Sequence, residues 1–468
     1  MAIDRSAATP SYWERLVTDP ILIYPLVTFR ILFGSLLLFS TTRFLVLGWI
    51  EPHYVEPSFH FRYYGFDWLP ILGGHWLYLI HGLLLLGALG FTLGYRYRWA
   101  ALLVFTSFTY LELIDLSFYL NHYYFVSLVC FLALFVPANR ALSLDVRWGR
   151  RTYANHVPAW TINAFKLLIA IVYCYAGLAK INADWLLYAL PLKIWLPAKD
   201  GLPLLGPLFA WDWTPYLFSW AGMLFDTTIV FFLLYRPTRI LAYLAVVVFH
   251  LLTGLLFQIG VFPLVMIGVV TIFFSPPWHR QLLRRLARWF DPWHLARLDQ
   301  VAVIPYRLPI SRRRPLLSLL MFFFVFQLLF PWRYLAYPGN LFWTEEGYRF
   351  SWRVMLMEKS ATATFYLREA ASEREKIVIN RTFLSPHQEK QMAMQPDMIL
   401  QFAHHLARHY GTEARPIESV RAEVYVTLNS RPSRLLIDPQ FNLLEAREGW
   451  RPKSWILPFN PPASQSAR

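Results

Sequence analysis

The chain has 468 residues, of which 56% are hydrophobic, 18% aromatic and only 16% charged, a balance too apolar for an ordinary soluble domain of this length. A formal charge of +15 and a pI near 9.7 would suit a nucleic-acid binder, but the basic residues lie in loops between apolar runs, where they set topology and attract anionic headgroups, so no nucleic-acid partner is expected. Two cysteines, Cys130 and Cys174, both inside apolar runs, exclude a disulfide framework and a cysteine metal site.

Residues 1–20 lack the small-residue cleavage pattern of a secretory signal and read as an amphipathic interfacial segment. Apolar runs then recur near 21–50, 72–95, 99–121, 122–137, 161–183, 212–235, 240–260, 261–276 and 315–332. Each approaches the roughly 20 residues that a bilayer core demands. The expected fold is therefore a polytopic α-helical membrane domain over 21–332 with about nine spans. Alternate loops carry Arg96 and Arg98; Arg140, Arg147, Arg150 and Arg151; Arg236 and Arg239; then "HRQLLRRLARWFDPWHLARLDQ" through "SRRRP". The opposite loops hold chiefly Arg62, Lys193 and Lys199, so the positive-inside rule puts the first set in the cytoplasm.

After Trp332 the chain turns polar. "ATATFYLRE", "EKIVINRT" and "RAEVYVTLNSRPSRLLIDP" alternate like half-buried strands, and "QPDMILQFAHHLARHYG" has helical spacing. Residues 333–458 are thus expected to form a C-terminal extracytoplasmic α+β domain, with 459–468 a disordered end.

Polar groups interrupt several spans. Glu112, Asp115, Asn121 and His122 cluster at one turn, Asp226, His250 and Gln258 lie in later runs, and Arg30 and Lys166 stand near span ends where they can reach headgroups. The most telling is Lys180 in "YCYAGLAKINADW". A charge at the centre of a span costs about 2.5–3.5 kcal/mol. Tyr173, Ala176, Gly177 and Lys180 share one helical stripe, and the two small residues leave room for a neighbouring helix or for a flat ligand. The third and fifth spans both run outward, which brings His122 and Lys180 to one depth. A desolvated amine can act as a base while a histidine and a carboxamide hold a phenolic oxygen, an arrangement suited to a quinol.

"FRILFGSLLLF", "DLSFYLNHYYF", "NHVPAWTINAFKLLIAIVYCYAGLAKINADWL" and "FHLLTGLLFQIGVFPLVMI", with "GYRFSWRVM" and "VYVTLNSRPSRLLIDP" in the tail, resemble the vitamin K-dependent γ-glutamyl carboxylase family, here as a bacterial-type, HTTM-domain membrane protein. The resemblance implies a cofactor, reduced vitamin K hydroquinone, whose proton Lys180 removes; reaction with O2 then generates a strong base that takes a γ-proton from a peptide glutamate, CO2 adds, and an epoxide is left. It implies that His122 and Asn121 hydrogen-bond the hydroquinone, that Tyr173, Ala176, Gly177 and His250 face it, and that Trp352 and Arg431 meet the glutamyl substrate. The implied partners are a glutamate-containing peptide or protein and the quinone pool of the membrane lipid, in a bacterial inner membrane, with no metal.

The sequence departs from the family at Ala179–Lys180, where animal members carry two lysines, and at Met357, near the place of a substrate-contacting histidine. The family's disulfide cannot form from Cys130 and Cys174, and the tail is shorter than in animal members. Two alternatives follow: a quinol epoxidase or oxidoreductase without carboxylation, or a transporter or lipid-binding scaffold whose Lys180 pairs with an acid. A cavity between Lys180 and His122 favours catalysis; a salt bridge from Lys180 to Asp115 or Asp226 in a filled core favours the scaffold.

Overall fold

The computed structural model describes residues 17–290, 297–298, 302–370 and 374–459. The interfacial segment expected over the first twenty residues lies largely outside these, as does the expected disordered end beyond Phe459. A short strand, β1 (Pro20–Leu22), pairs antiparallel with β2 (His156–Pro158), with Ile21 opposite Val157. The membrane region contains α1 (Tyr24–Val46), α2 (His75–Leu93), α3 (Tyr97–Leu113), α4 (Asn121–Ala133), α5 (Trp160–Ala179), α6 (Thr214–Leu234), α7 (Arg239–Leu256), α8 (Phe262–Val270), α9 (Pro276–Phe290) and α10 (Ile310–Leu329).

Among the described residues six helices are long and apolar enough to span a bilayer, or seven if the bent pair built on α8 and α9 is one span. The expected count of about nine is not reproduced, for a local reason at three places. The run 99–121 stops at Leu113 because Asp115 breaks the helix and caps a tight 3-10 turn through Ser117 N. The run 122–137 yields only the 13 residues of α4. The run 261–276 breaks after Phe273, where the chain turns by 120° into the basic, amphipathic α9.

Arg30 does not reach headgroups as expected. It is buried in α1 and donates to the carbonyls of Ala138 (2.7 Å), Ala141 (3.3 Å) and Leu142, so the guanidinium is a clamp on a loop. Gly94 (φ +63) ends α2 beside it; a Cβ there would lie 2.5 Å from Ser143 Cβ and 2.8 Å from Arg30 Nη1. Asp145 accepts from the backbone N–H groups of Arg96 and Tyr97, so two of the arginine-bearing loops meet at this end of the bundle.

The tail is built on a four-stranded antiparallel sheet in the order β4 (Glu375–Ile377), β3 (Lys359–Glu369), β5 (Ile417–Leu428), β6 (Arg434–Leu435). Period-two burial of Val420, Ala422, Val424, Val426 and Leu428 gives β5 its covered face. Helix α12 (Pro396–Tyr410) packs there through Ile399, Phe402, Ala403 and Leu406, preceded by α11 (Pro386–Met394), which a Ser385–Gln388 capping box starts. Gln388 also ties the tail to the membrane region. Its amide donates to Asp115 Oδ2 (2.7 Å) and to Phe59 O (2.8 Å), while His60 Nδ1 lies 2.9 Å from the same Asp115 oxygen. Asp115 is thus a structural junction.

Candidate active site at the tail-facing ends of the helices

Helix α5 ends where Lys180 caps it, and α4 begins at Asn121–His122, so the two ends meet beneath the tail. They line one cavity of about 160 Å3 together with α6, α7, α8 and the tail residues Trp352, Val354 and Met355. Its wall is aromatic and aliphatic, including Phe125, Trp185, Trp195, Phe249 and Phe262. A dry cavity of roughly 150 Å3 is enough for benzene, so the space suits an aromatic ring.

Lys180 Nζ donates to Asp226 Oδ2 at 2.7 Å and to Ala176 O at 3.1 Å, and lies 5.4 Å from the centroid of the Trp185 ring. Both members of the ion pair are almost fully buried, with side chains 8% and 6% exposed. The two expected alternatives are therefore combined: Lys180 has an acidic partner, and the pair stands on the wall of a cavity that His122 shares. The sequence offered Asp226 as a partner of Lys180 only under the scaffold alternative and gave it no place in the site. Its signal was present, since it is the sole acidic residue in "TPYLFSWAGMLFDTTIVFFLL".

Gly177 departs from its expected place facing a quinol. It does not line the cavity; a Cβ on it would lie 2.5 Å from Thr227 Cγ2 and 2.6 Å from Thr227 N. The missing side chain lets α6 press against α5, and that approach delivers Asp226 to Lys180. Ala176 and Tyr173 do line the cavity, and Tyr173 Oη lies 2.7 Å from His250 Nε2, linking α5 to α7.

His122 stacks on Phe262, centroids 4.9 Å apart, and its ring makes no hydrogen bond to the described residues. Asn121 is engaged: its amide donates to Arg353 O at 2.7 Å and its oxygen accepts from Tyr119 Oη at 2.9 Å. Trp352 is buried against Tyr124, with centroids 5.0 Å apart, and its indole N–H has no hydrogen-bond partner among the described residues. It faces the same cavity as Lys180.

Arg431 is not free to receive a substrate carboxylate as expected. It forms a two-pronged ion pair with Asp184, just after Lys180, through Nη1 at 2.9 Å and through Nη2. Asn429 donates to the same carboxylate at 2.7 Å. Cys130 and Cys174 are both free thiols. Among the described residues no three His, Cys, Asp or Glu side chains gather as a metal site would need.

Two regions of the chain match known family models. Residues 19–278 match the HTTM domain, and residues 312–461 match the lumenal domain of vitamin K-dependent gamma-carboxylase. No solved structure matches the chain.

Proposed function

We propose, from the premise that the chain belongs to the vitamin K-dependent gamma-glutamyl carboxylase family, that this integral membrane protein couples oxygenation of a reduced vitamin K hydroquinone to carboxylation of peptide glutamate. The observation that carries this reading is the shared cavity, where a buried Lys180–Asp226 pair, an unengaged His122 and the unpartnered N–H of Trp352 stand among aromatic rings. That donor set fits a flat apolar ring bearing two polar oxygens. When bound, the hydroquinone supplies the oxidisable ring whose reaction with O2 drives the removal of a glutamate γ-proton.

The chain's own residues then have distinct tasks. Starting as ammonium and carboxylate, Lys180 and Asp226 accept one proton between them and end as ammonium and carboxylic acid. The cation thus stays beside the oxygen that has lost its proton. His122 and Trp352 orient that oxygen, and the Tyr173–His250 hydrogen bond fixes the opposite wall. The apolar lining excludes water, which would otherwise consume a strong base.

The few basic residues at the tail-facing end, against the arginine-bearing loops gathered around Asp145, support an extracytoplasmic tail. A bacterial inner membrane suits the compact tail.

Two observations favour a second reading, a quinol epoxidase without carboxylation: Arg431 is occupied by Asp184, and Met357 stands near the place where the family carries its substrate-contacting histidine. The deciding assay supplies purified protein in nanodiscs with vitamin K hydroquinone, a glutamate-rich peptide and labelled CO2. Lys180-dependent epoxide with label in the peptide supports carboxylation. Epoxide with no label in any glutamate peptide supplied supports the second reading, and no epoxide from folded wild type overturns both.

A further inference from the structure

A cation without a counter-ion among the described residues stands where two spanning helices end beneath the tail. Helices α5 and α10 are joined there, since Tyr175 donates to the Leu328 carbonyl and lies edge-on to Trp332, centroids 5.9 Å apart. A cavity of about 380 Å3 opens beside them, lined in part by Tyr175, Leu178, Asn182, Trp332, Tyr334 and Arg353. The Arg353 guanidinium lies 4.3 Å from the centroid of the Tyr334 ring, and its Nε is buried with no hydrogen-bond partner among the described residues. Arg349 and Arg431 nearby in the tail are neutralised by Asp397 and Asp184. Among the described residues no carboxylate does the same for Arg353.

We propose that this cavity is a binding site for the phosphate of an anionic phospholipid, with Arg353 as its charge partner. A guanidinium matches phosphate geometry in a two-pronged contact, and tyrosine and tryptophan at helix ends mark the level where headgroups lie. Leu178, Ile181 and Trp332 line the opening with exposed apolar side chains that suit acyl chains. A peptide carboxylate has no use for such a rim. The site is also distinct from the catalytic cavity, because Trp352, Val354 and Met355 line that one while Arg353 lines this one. The two share a wall, however. The Arg353 carbonyl accepts from Asn121, so an occupant that steadies residue 353 steadies the tail segment closing the catalytic cavity.

The inference stands apart from the quinol reading, and its test needs no turnover. Delipidated full-length protein is titrated with phosphatidylglycerol, phosphatidylethanolamine or phosphatidylcholine and read by native mass spectrometry. Wild type should retain one phosphatidylglycerol at least about tenfold more tightly than the other two, Arg353→Gln should lose about tenfold, and Arg353→Lys should keep most of the preference. Equal binding by wild type and Arg353→Gln would overturn the assignment, as would a folded wild type with no preference among the lipids. Displacement by millimolar inorganic phosphate would reassign the site to a soluble phosphate. Displacement by a glutamate-rich peptide would overturn the lipid in favour of the substrate.

Discussion

At the level of single residues, the Lys180–Asp226 pair decides what the cavity can do. Two buried charges offset each other only while both are present; removing one leaves an uncompensated charge, at a cost of about 3–5 kcal/mol. Asp226→Asn should therefore destabilise the protein as strongly as Lys180→Ala, and the double variant should recover much of the loss in thermal unfolding. Epoxide formation should be lost in all three. If Asp226→Asn keeps full activity, the carboxylate is not part of the proton acceptor. Tyr173→Phe removes one hydrogen bond, to His250, and should cost about 1 kcal/mol while raising KM for the hydroquinone more than it lowers kcat.

Among the helices, closeness is set by absence of side chain. Gly177→Ala would force a Cβ into the backbone of α6 at Thr227, so the helices must part. The expected result is a loss of about 1–3 kcal/mol in thermal stability and a fall in turnover, because Asp226 is carried away from Lys180. A variant with unchanged melting would show that α6 can slide at no cost. This scale also marks how far the sequence can be read. The long spans were legible because length and apolarity suffice, and the strands of the tail because alternation over β5 is strict. Short helices were not: Asp115 ends α3 through a local cap, and hydropathy alone runs across it. The stripe of Tyr173, Ala176 and Lys180 was legible from helical spacing. Gly177 left two readings open, ligand or helix, and only the position of Thr227 chooses between them. Arg431 and Arg30 were misread because their partners, Asp184 and the carbonyls of 138–142, lie far away in the chain.

For the molecule as a whole, the junction between tail and membrane region joins a shared apolar core to a few charged links. Burial pushes the Asp184 carboxyl up, but hydrogen bonds from Arg431 and Asn429 outweigh it and hold it below the usual carboxylate range. Its contribution is complete above the ordinary value of about 3.9 and is lost as pH falls through the lowered value of the folded protein. Acidification below about pH 4 should loosen the tail, seen as faster cleavage by an acid-active protease in nanodiscs. Arg431→Ala should already be loosened at neutral pH and should respond less to acid. The tail residues Trp352, Val354 and Met355 form part of the cavity that holds Lys180, and a ribosome makes them after every spanning helix that lines the rest. A growing chain already seated in its membrane therefore holds an unfinished chamber, open on one side, and the chemistry proposed for that chamber has to wait until the last third of the chain has been synthesised and folded down.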